Sequence, residues 1–260
     1  MRRALWFLVA FAVAVSAAQG QKLIWQDEFV GAAGSPPDAS KWAYDLGGGG
    51  WGNKELEVYT KSAENVQLDG QGHLIIRATR TADGKYESAR IKTLGHFSFT
   101  YGRAEARMKL PRGQGMWPAF WMLGGNIKDP GWPTSGEIDI MENIGREPNM
   151  VHGTIHGPGY SGAKGITSSF TFPEGTLPSD DYHVYAVRWA RGKIEFLVDD
   201  KVYQTVTPTS LPQGTAWVYD HPFFLLLNLA IGGGWPGNPD ATTRFPQELS
   251  IDWVRVYSMP

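Results

Sequence analysis

From Gln21 onward the chain has a rhythm that only β-structure satisfies. Short runs rich in branched and aromatic residues are broken by turn residues about every ten positions. Strands are expected at His73–Thr79, Ser88–Thr93, Tyr101–Lys109, Ala119–Leu123, Glu137–Glu142, Val151–His156, His183–Ala190, Lys193–Val198, Phe223–Ile231 and Ile251–Tyr257. Asp69-Gly70, Asp83-Gly84, Arg191-Gly192 and Asp199-Asp200 supply turns between them. No stretch reads as a long amphipathic helix, and no repeat, linker or low-complexity run divides the chain. The economical architecture is all-β: one domain over residues 21–260, built as a sandwich of two antiparallel sheets.

Composition narrows the function. Aromatics at 13% and a net charge of -2 exclude a disordered chain. Lys+Arg 24 against Asp+Glu 26 leaves no cationic excess, so no nucleic-acid partner is expected. Without cysteine there is neither a disulfide nor a thiolate metal site, and the six histidines lack metal-ligand spacing. Residues 1–20 read as a signal peptide. Arg2 and Arg3 precede an apolar run from Leu5 to Val15, and Ser16, Ala17, Ala18 and Gly20 suit a signal peptidase cutting between Ala17 and Gly20. The run is short for a bilayer span, so a secreted chain with no membrane attachment after cleavage is expected. Loss of Arg2 and Arg3 takes the net charge from -2 to -4.

The most informative stretch is Ser135-Gly136-Glu137-Ile138-Asp139-Ile140-Met141-Glu142-Asn143. Glu137 and Asp139 are two apart and share a strand face, whereas Glu142 in a regular strand would point into the core. A lone carboxylate there is very costly. A β-bulge at Ile140-Met141 resets the alternation and returns Glu142 to the side of Asp139. Glu137 and Glu142 then stand effectively four strand positions apart, near the separation used by retaining glycosidases. Carboxylates so close cannot all ionise, so at least one pKa must rise. That provides a nucleophile and a general acid at one pH, with Asp139 between them to share a proton. On Phe223–Ile231, Leu225, Leu227, Leu229 and Ile231 form a core face, and Leu226, Asn228 and Ala230 a mixed face suited to binding.

With its context, this stretch resembles the catalytic strand of glycoside hydrolase family 16, in its laminarinase-like, endo-β-1,3-glucanase branch. Also similar are Trp51-Gly52-Asn53-Lys54-Glu55 through Tyr59, Ser88-Ala89-Arg90-Ile91-Lys92-Thr93 and Trp117-Pro118-Ala119-Phe120-Trp121-Met122-Leu123. So are His152-Gly153-Thr154-Ile155-His156-Gly157, Asn228-Leu229-Ala230-Ile231-Gly232-Gly233 and Asp252-Trp253-Val254-Arg255-Val256-Tyr257. The resemblance runs in order over residues 23–258. It implies a β-jelly roll with a concave substrate cleft and cleavage inside β-glucan chains with retention. It assigns Glu137 as nucleophile, Asp139 as its helper and Glu142 as acid/base. The bulged spacing goes in the family with laminarinases and some agar and carrageenan enzymes.

Around the acids, Trp117 and Trp121 share a face across Ala119 and form a stacking platform for a sugar ring. Trp51 and Trp235 sit in glycine-rich loops and are read as cleft rims. Asn53, Glu55, Arg90 and, more weakly, Asn228 are placed to hold sugar hydroxyls. His156 and His152 have the same parity on the expected neighbouring strand, and motif position favours His156. The resemblance also brings a structural calcium, held by backbone oxygens near the amino-terminal strand and a carboxylate near the end, with Glu28, Gly72 and Asp252 in plausible positions. No cofactor is expected for catalysis, and the partner is a β-glucan polysaccharide met by a monomer. A non-catalytic β-glucan-binding protein, a transglycosylase, or a hydrolase of mixed-linkage glucan, agar or carrageenan on the same scaffold are the competing readings.

Overall fold

The computed structural model describes residues 20–259; the signal-peptide expectation otherwise lies outside the described residues. The described residues contain 17 strands and two 3-10 turns. The first seven strands are β1 (Leu23–Asp27), β2 (Ala43–Asp45), β3 (Glu57–Tyr59), β4 (Val66–Leu68), β5 (Leu74–Arg80), β6 (Tyr86–Ser88) and β7 (Arg90–Lys92). Then come β8 (Gly102–Lys109), β9 (Met116–Gly124), β10 (Glu137–Glu142), β11 (Met150–His156) and β12 (Ile166–Thr171). The last are β13 (His183–Ala190), β14 (Lys193–Val198), β15 (Lys201–Val206), β16 (Phe223–Ile231) and β17 (Gln247–Tyr257). Among these residues no helix is long and apolar enough to cross a membrane.

The strands form the two packed sheets of a β-jelly roll. The larger has ten strands, with the order β15-β14-β13-β8-β17-β5-β6-β3 and β1 and β4 added beside β17 and β5. The smaller has seven, in the order β12-β11-β10-β9-β16-β7-β2. Every pairing is antiparallel except β3 with β6. The expected single strand Ser88–Thr93 is two strands. Its first residue ends β6 in the large sheet and Arg90 begins β7 in the small one, so the chain changes layers at the fully buried Ala89.

Alternation decides which side of the small sheet meets the core. Phe120 and Met122 of β9, Ile138 of β10, Ile155 of β11, and Leu225, Leu227, Leu229 and Ile231 of β16 all lie in the main apolar cluster at zero exposure. Their neighbours in sequence therefore point out to the open face. On that face Leu123, Phe224 and Leu226 form a second apolar cluster with Leu94, Trp121 and Ile127, which covers one end.

Candidate active site

The open face is assembled in rows, because strand register places one residue from each strand opposite the next. One row runs Asp45, Arg90, Asn228, Ala119, Glu142, His152, Ser169 across all seven strands. A second includes Lys92, Leu226, Trp121, Asp139, Thr154 and Thr167. A third includes Phe224, Leu123, Glu137 and His156.

The three acids share these rows only because β10 is bulged. Against β9, Asp139 pairs with Trp121 but Met141 with Phe120, so Ile140 is the extra residue. Against β11, Asp139 pairs with Thr154 and Glu142 with His152. Ile140 and Met141 are both buried in the core, which turns Glu142 outward. Glu137 pairs with Leu123 and Glu142 with Ala119, four ladder positions apart on the same face. Both the bulge and the outward acids agree with the sequence expectation.

Each glutamate has one indole donor. Trp117 Nε1 donates to Glu142 Oε1 at 2.9 Å, and Trp132 Nε1 donates to Glu137 Oε2 at 2.7 Å. His156 Nε2 lies 3.1 Å from Asp139 Oδ2 and 3.9 Å from Glu137 Oε1. With no arginine or lysine among these partners, burial is the first cause acting on all three acids, and all three rise. Glu137 is pushed up to about 8 by burial and then by the Asp139 charge, against His156 and Trp132. Glu142 is pushed up to about 7 by burial, against His156 and Trp117. Asp139 rises well above the usual carboxylate range through burial and the Glu142 charge. The cluster therefore keeps protons at neutral pH.

The structure separates the two histidines. His156 belongs to the acids, whereas His152 contacts Ser169 Oγ through Nδ1 at 2.8 Å and Glu147 through Nε2 at 3.2 Å. The His152 ring meets Trp235 edge-on, with centroids 5.0 Å apart, and Trp235 meets Trp117 at 5.5 Å. This aromatic group flanks the Glu142 end. Trp121 runs along the other side of the small Ala119, with Nε1 donating to Asn228 Oδ1 at 2.7 Å. The Arg90 guanidinium lies between the Trp121 and Trp51 rings, 4.7 and 4.8 Å from their centroids, and pairs with Asp45 at 3.0 Å. Asn53 donates to Glu55 at 2.9 Å. The expected binding residues thus line one continuous face.

Sequence reasoning missed Trp132. It is half exposed, in the loop between β9 and β10, and its ring lies 6.3 Å from His156. The signal available was a tryptophan five residues before the first acid in a loop of glycine and proline.

For cations the positions differ. Glu137, Asp139 and His156 offer ligand atoms within 4.8 Å of one another, close enough to hold an ion. Glu28 and Asp252, expected near calcium with Gly72, already have arginine partners. Glu28 accepts two hydrogen bonds of 2.8 Å from Arg255, and Asp252 accepts one of 2.5 Å from Arg107. Of the expected ligands, the Asp252 carboxylate is therefore engaged by Arg107, whereas those at Glu28 and Gly72 are backbone oxygens, which the Arg255 pair does not engage.

The model of the family "Glycosyl hydrolases family 16" matches residues 53–255. The Beta-glucanase of Rhodothermus marinus is 43% identical over 249 residues, covering 91% of this chain and 85% of that one. The Glucan endo-1,3-beta-glucosidase A1 of Niallia circulans is 40% identical over 92% of this chain, which spans 38% of that longer protein. The solved structure of endo-beta-1,3-glucanase from Pyrococcus furiosus superposes with a TM-score of 0.86 at 48% identity, covering 92% of this chain and 94% of that one.

Proposed function

The chain belongs to glycosyl hydrolases family 16 and is a glycoside hydrolase, and on that premise we propose that it is a secreted, monomeric, endo-acting enzyme that cleaves β-1,3-glucan with retention of configuration. The observation that carries this reading is the bulged strand, which sets Glu137 and Glu142 four ladder positions apart on one open face with Asp139 between them. The names of the relatives support β-glucan as substrate, and the leader-like residues 1–20 support secretion.

Burial and the Glu142 charge raise Asp139 well above the usual carboxylate range, and in these steps it holds the proton it shares with Glu137. Its charge then no longer repels Glu137, and its O–H can donate to Glu137. The Trp132 indole donates as well, and with Asp139 neutral the second cause of the raised Glu137 value is gone, so the Glu137 carboxylate is the form that attacks. Glu137 attacks the anomeric carbon while Glu142, protonated up to about 7, gives its proton to the departing glycosidic oxygen. A water then attacks the glycosyl-enzyme ester, Glu142 takes the water proton, and Glu137 leaves as carboxylate. Two inversions give net retention. These steps use side chains alone.

Incubation with laminarin, lichenan, agarose and κ-carrageenan, with the products sized over time, tests the reading. Laminarin should give a spread of short oligosaccharides early. Glucose alone from the start would indicate an exo-enzyme, preference for another polysaccharide would move the substrate, and longer products would indicate transglycosylation. Binding of laminarin without cleavage would favour a glucan-binding protein.

A further inference from the structure

Behind the cleft rim lies a buried acid with no role in the proposed steps. Glu57 opens β3 and is 1% exposed. Its Oε2 accepts the Ile231 backbone N–H at 2.7 Å, while its Oε1 is buried without a donor, and the Glu55 carboxyl neighbours its own. Glu55 accepts from Asn53 Nδ2 at 2.9 Å and Tyr59 Oη at 3.1 Å. Tyr59 Oη accepts from Asn228 Nδ2 at 3.1 Å, and Asn228 holds the Trp121 indole. One hydrogen-bonded chain thus runs from Glu55, the neighbour of Glu57, to the floor of the cleft.

The same residues sit in a backbone strap. Leu56 N–H bonds Ile231 O, and Gly234 N–H bonds Asn53 O, both at 2.8 Å. Gly233 makes the turn at φ +116, where an added Cβ would stand 3.0 Å from Asn53 O. The strap positions the Trp235 loop against the segment that follows Trp51.

Two carboxyls in contact at a buried place need either a cation or a shared proton. The groups facing Glu57 are Glu55 and Tyr59 from its own segment and, beyond Tyr59, Arg90 from β7. Arg90 is paired with Asp45. We propose that Glu57 is a positioning residue that, as a neutral acid, donates its O–H to Glu55 while accepting from Ile231, and so holds the Asn53–Glu55 segment and the Trp235 loop in the shape that grips the glucan chain. Burial first, and then Glu55 through hydrogen bonding and charge, push Glu57 up to about 8, in keeping with that proton. Because the folded value lies above the ordinary carboxyl value, the stabilisation is full at low pH and is lost as pH rises through about 8.

The role in gripping substrate rests on the proposed glucanase reading; the shared proton does not. Glu57→Gln supplies an N–H donor and a C=O acceptor in the same shape without titrating. The thermal midpoint of Glu57→Gln minus that of the wild type should grow between pH 5 and 9 by about 4 °C or more. KM for laminarin should rise about 2- to 10-fold from pH 6 to 9 in the wild type and stay flat in Glu57→Gln, the loss of one buried hydrogen bond. The kcat should fall in both as Glu142 loses its proton. Glu57→Leu should raise KM at every pH; if it does not fold, the first pair still decides. Parallel midpoints for wild type and Glu57→Gln would overturn the shared proton. Diverging midpoints with parallel KM curves would overturn the positioning role. If laminarin is not cleaved, the glucanase reading fails, while the midpoints still judge the proton.

Discussion

Carboxylates on the large sheet and those in the cleft occupy the same kind of strand position in opposite company. Near or on the large sheet, Glu28 is forked by Arg255, Glu248 meets Arg77 at 2.7 Å, and Glu195 meets Lys193 at 2.7 Å and Arg188 at 3.2 Å. In the cleft, Glu137, Asp139 and Glu142 meet indole N–H groups and an imidazole. Even on the open face the contrast holds, since Asp45 at its edge is paired with Arg90 and Lys92. An acid beside an arginine anchors strands. The three cleft acids, buried without one, are raised toward the protonated form, which weakens the fold at neutral pH and makes a proton available for transfer.

The contrast breaks first if cleft acids can be neutralised without penalty. Glu137→Gln and Glu142→Gln should each lower laminarin hydrolysis on the order of 10³-fold or more. With an activated glucoside and azide, Glu142→Ala should give the β-azide through the Glu137 intermediate, and Glu137→Ala the α-azide by a single inversion. Swapped stereochemistry would reverse the two assignments.

Stability should move the other way. Glu137 is held above its ordinary value in the folded state, so its contribution is full at low pH and lost as pH rises through about 8. The thermal midpoint of Glu137→Gln relative to wild type should therefore climb by several degrees between pH 4 and 9. A constant difference across that range would place Glu137 in the same class as the paired acids.

A smaller effect should follow loss of one indole donor. Trp132→Phe keeps the ring and removes the N–H from Glu137, which should raise the Glu137 pKa further. The acid limb of kcat/KM should shift to higher pH, with a loss of about 10-fold below it. An unchanged limb would reduce Trp132 to a sugar-stacking surface. Least of all, Glu28→Gln should cost about 1 kcal/mol or less, because both partners are about a third exposed, and the loss should shrink in high salt. Salt should leave the Glu137→Gln difference almost unchanged.

Strand β10 was legible to its end residues because Ile138, Ile140 and Met141 mark the core and leave Glu142 one acceptable direction. Alternation also sorted β9 and β16 correctly. The three-residue strands β2, β3 and β4 are too short to show a period, and the change of sheet at Ala89 sits inside an unbroken β-like run. Trp132 was hidden because it reaches Glu137 through the folding of an aperiodic loop. Nothing in the local sequence marks Glu57, since its hydrogen-bond partner Ile231 is 174 positions away. The arginines that meet Glu28 and Asp252 come from β17 and β8, pairings that no local pattern announces.

The bulge also bears on how the sheet finds its partners. Sliding β10 by one residue against β9 would turn Glu137, Asp139 and Glu142 into the sandwich and Ile138 into water. Each buried, unpaired acid would then carry a penalty large against the stability of a whole domain. A strand of isoleucine and methionine alone would tolerate such a slip far better. The three acids therefore favour the native register over a slipped one, apart from any part they take in the cleft.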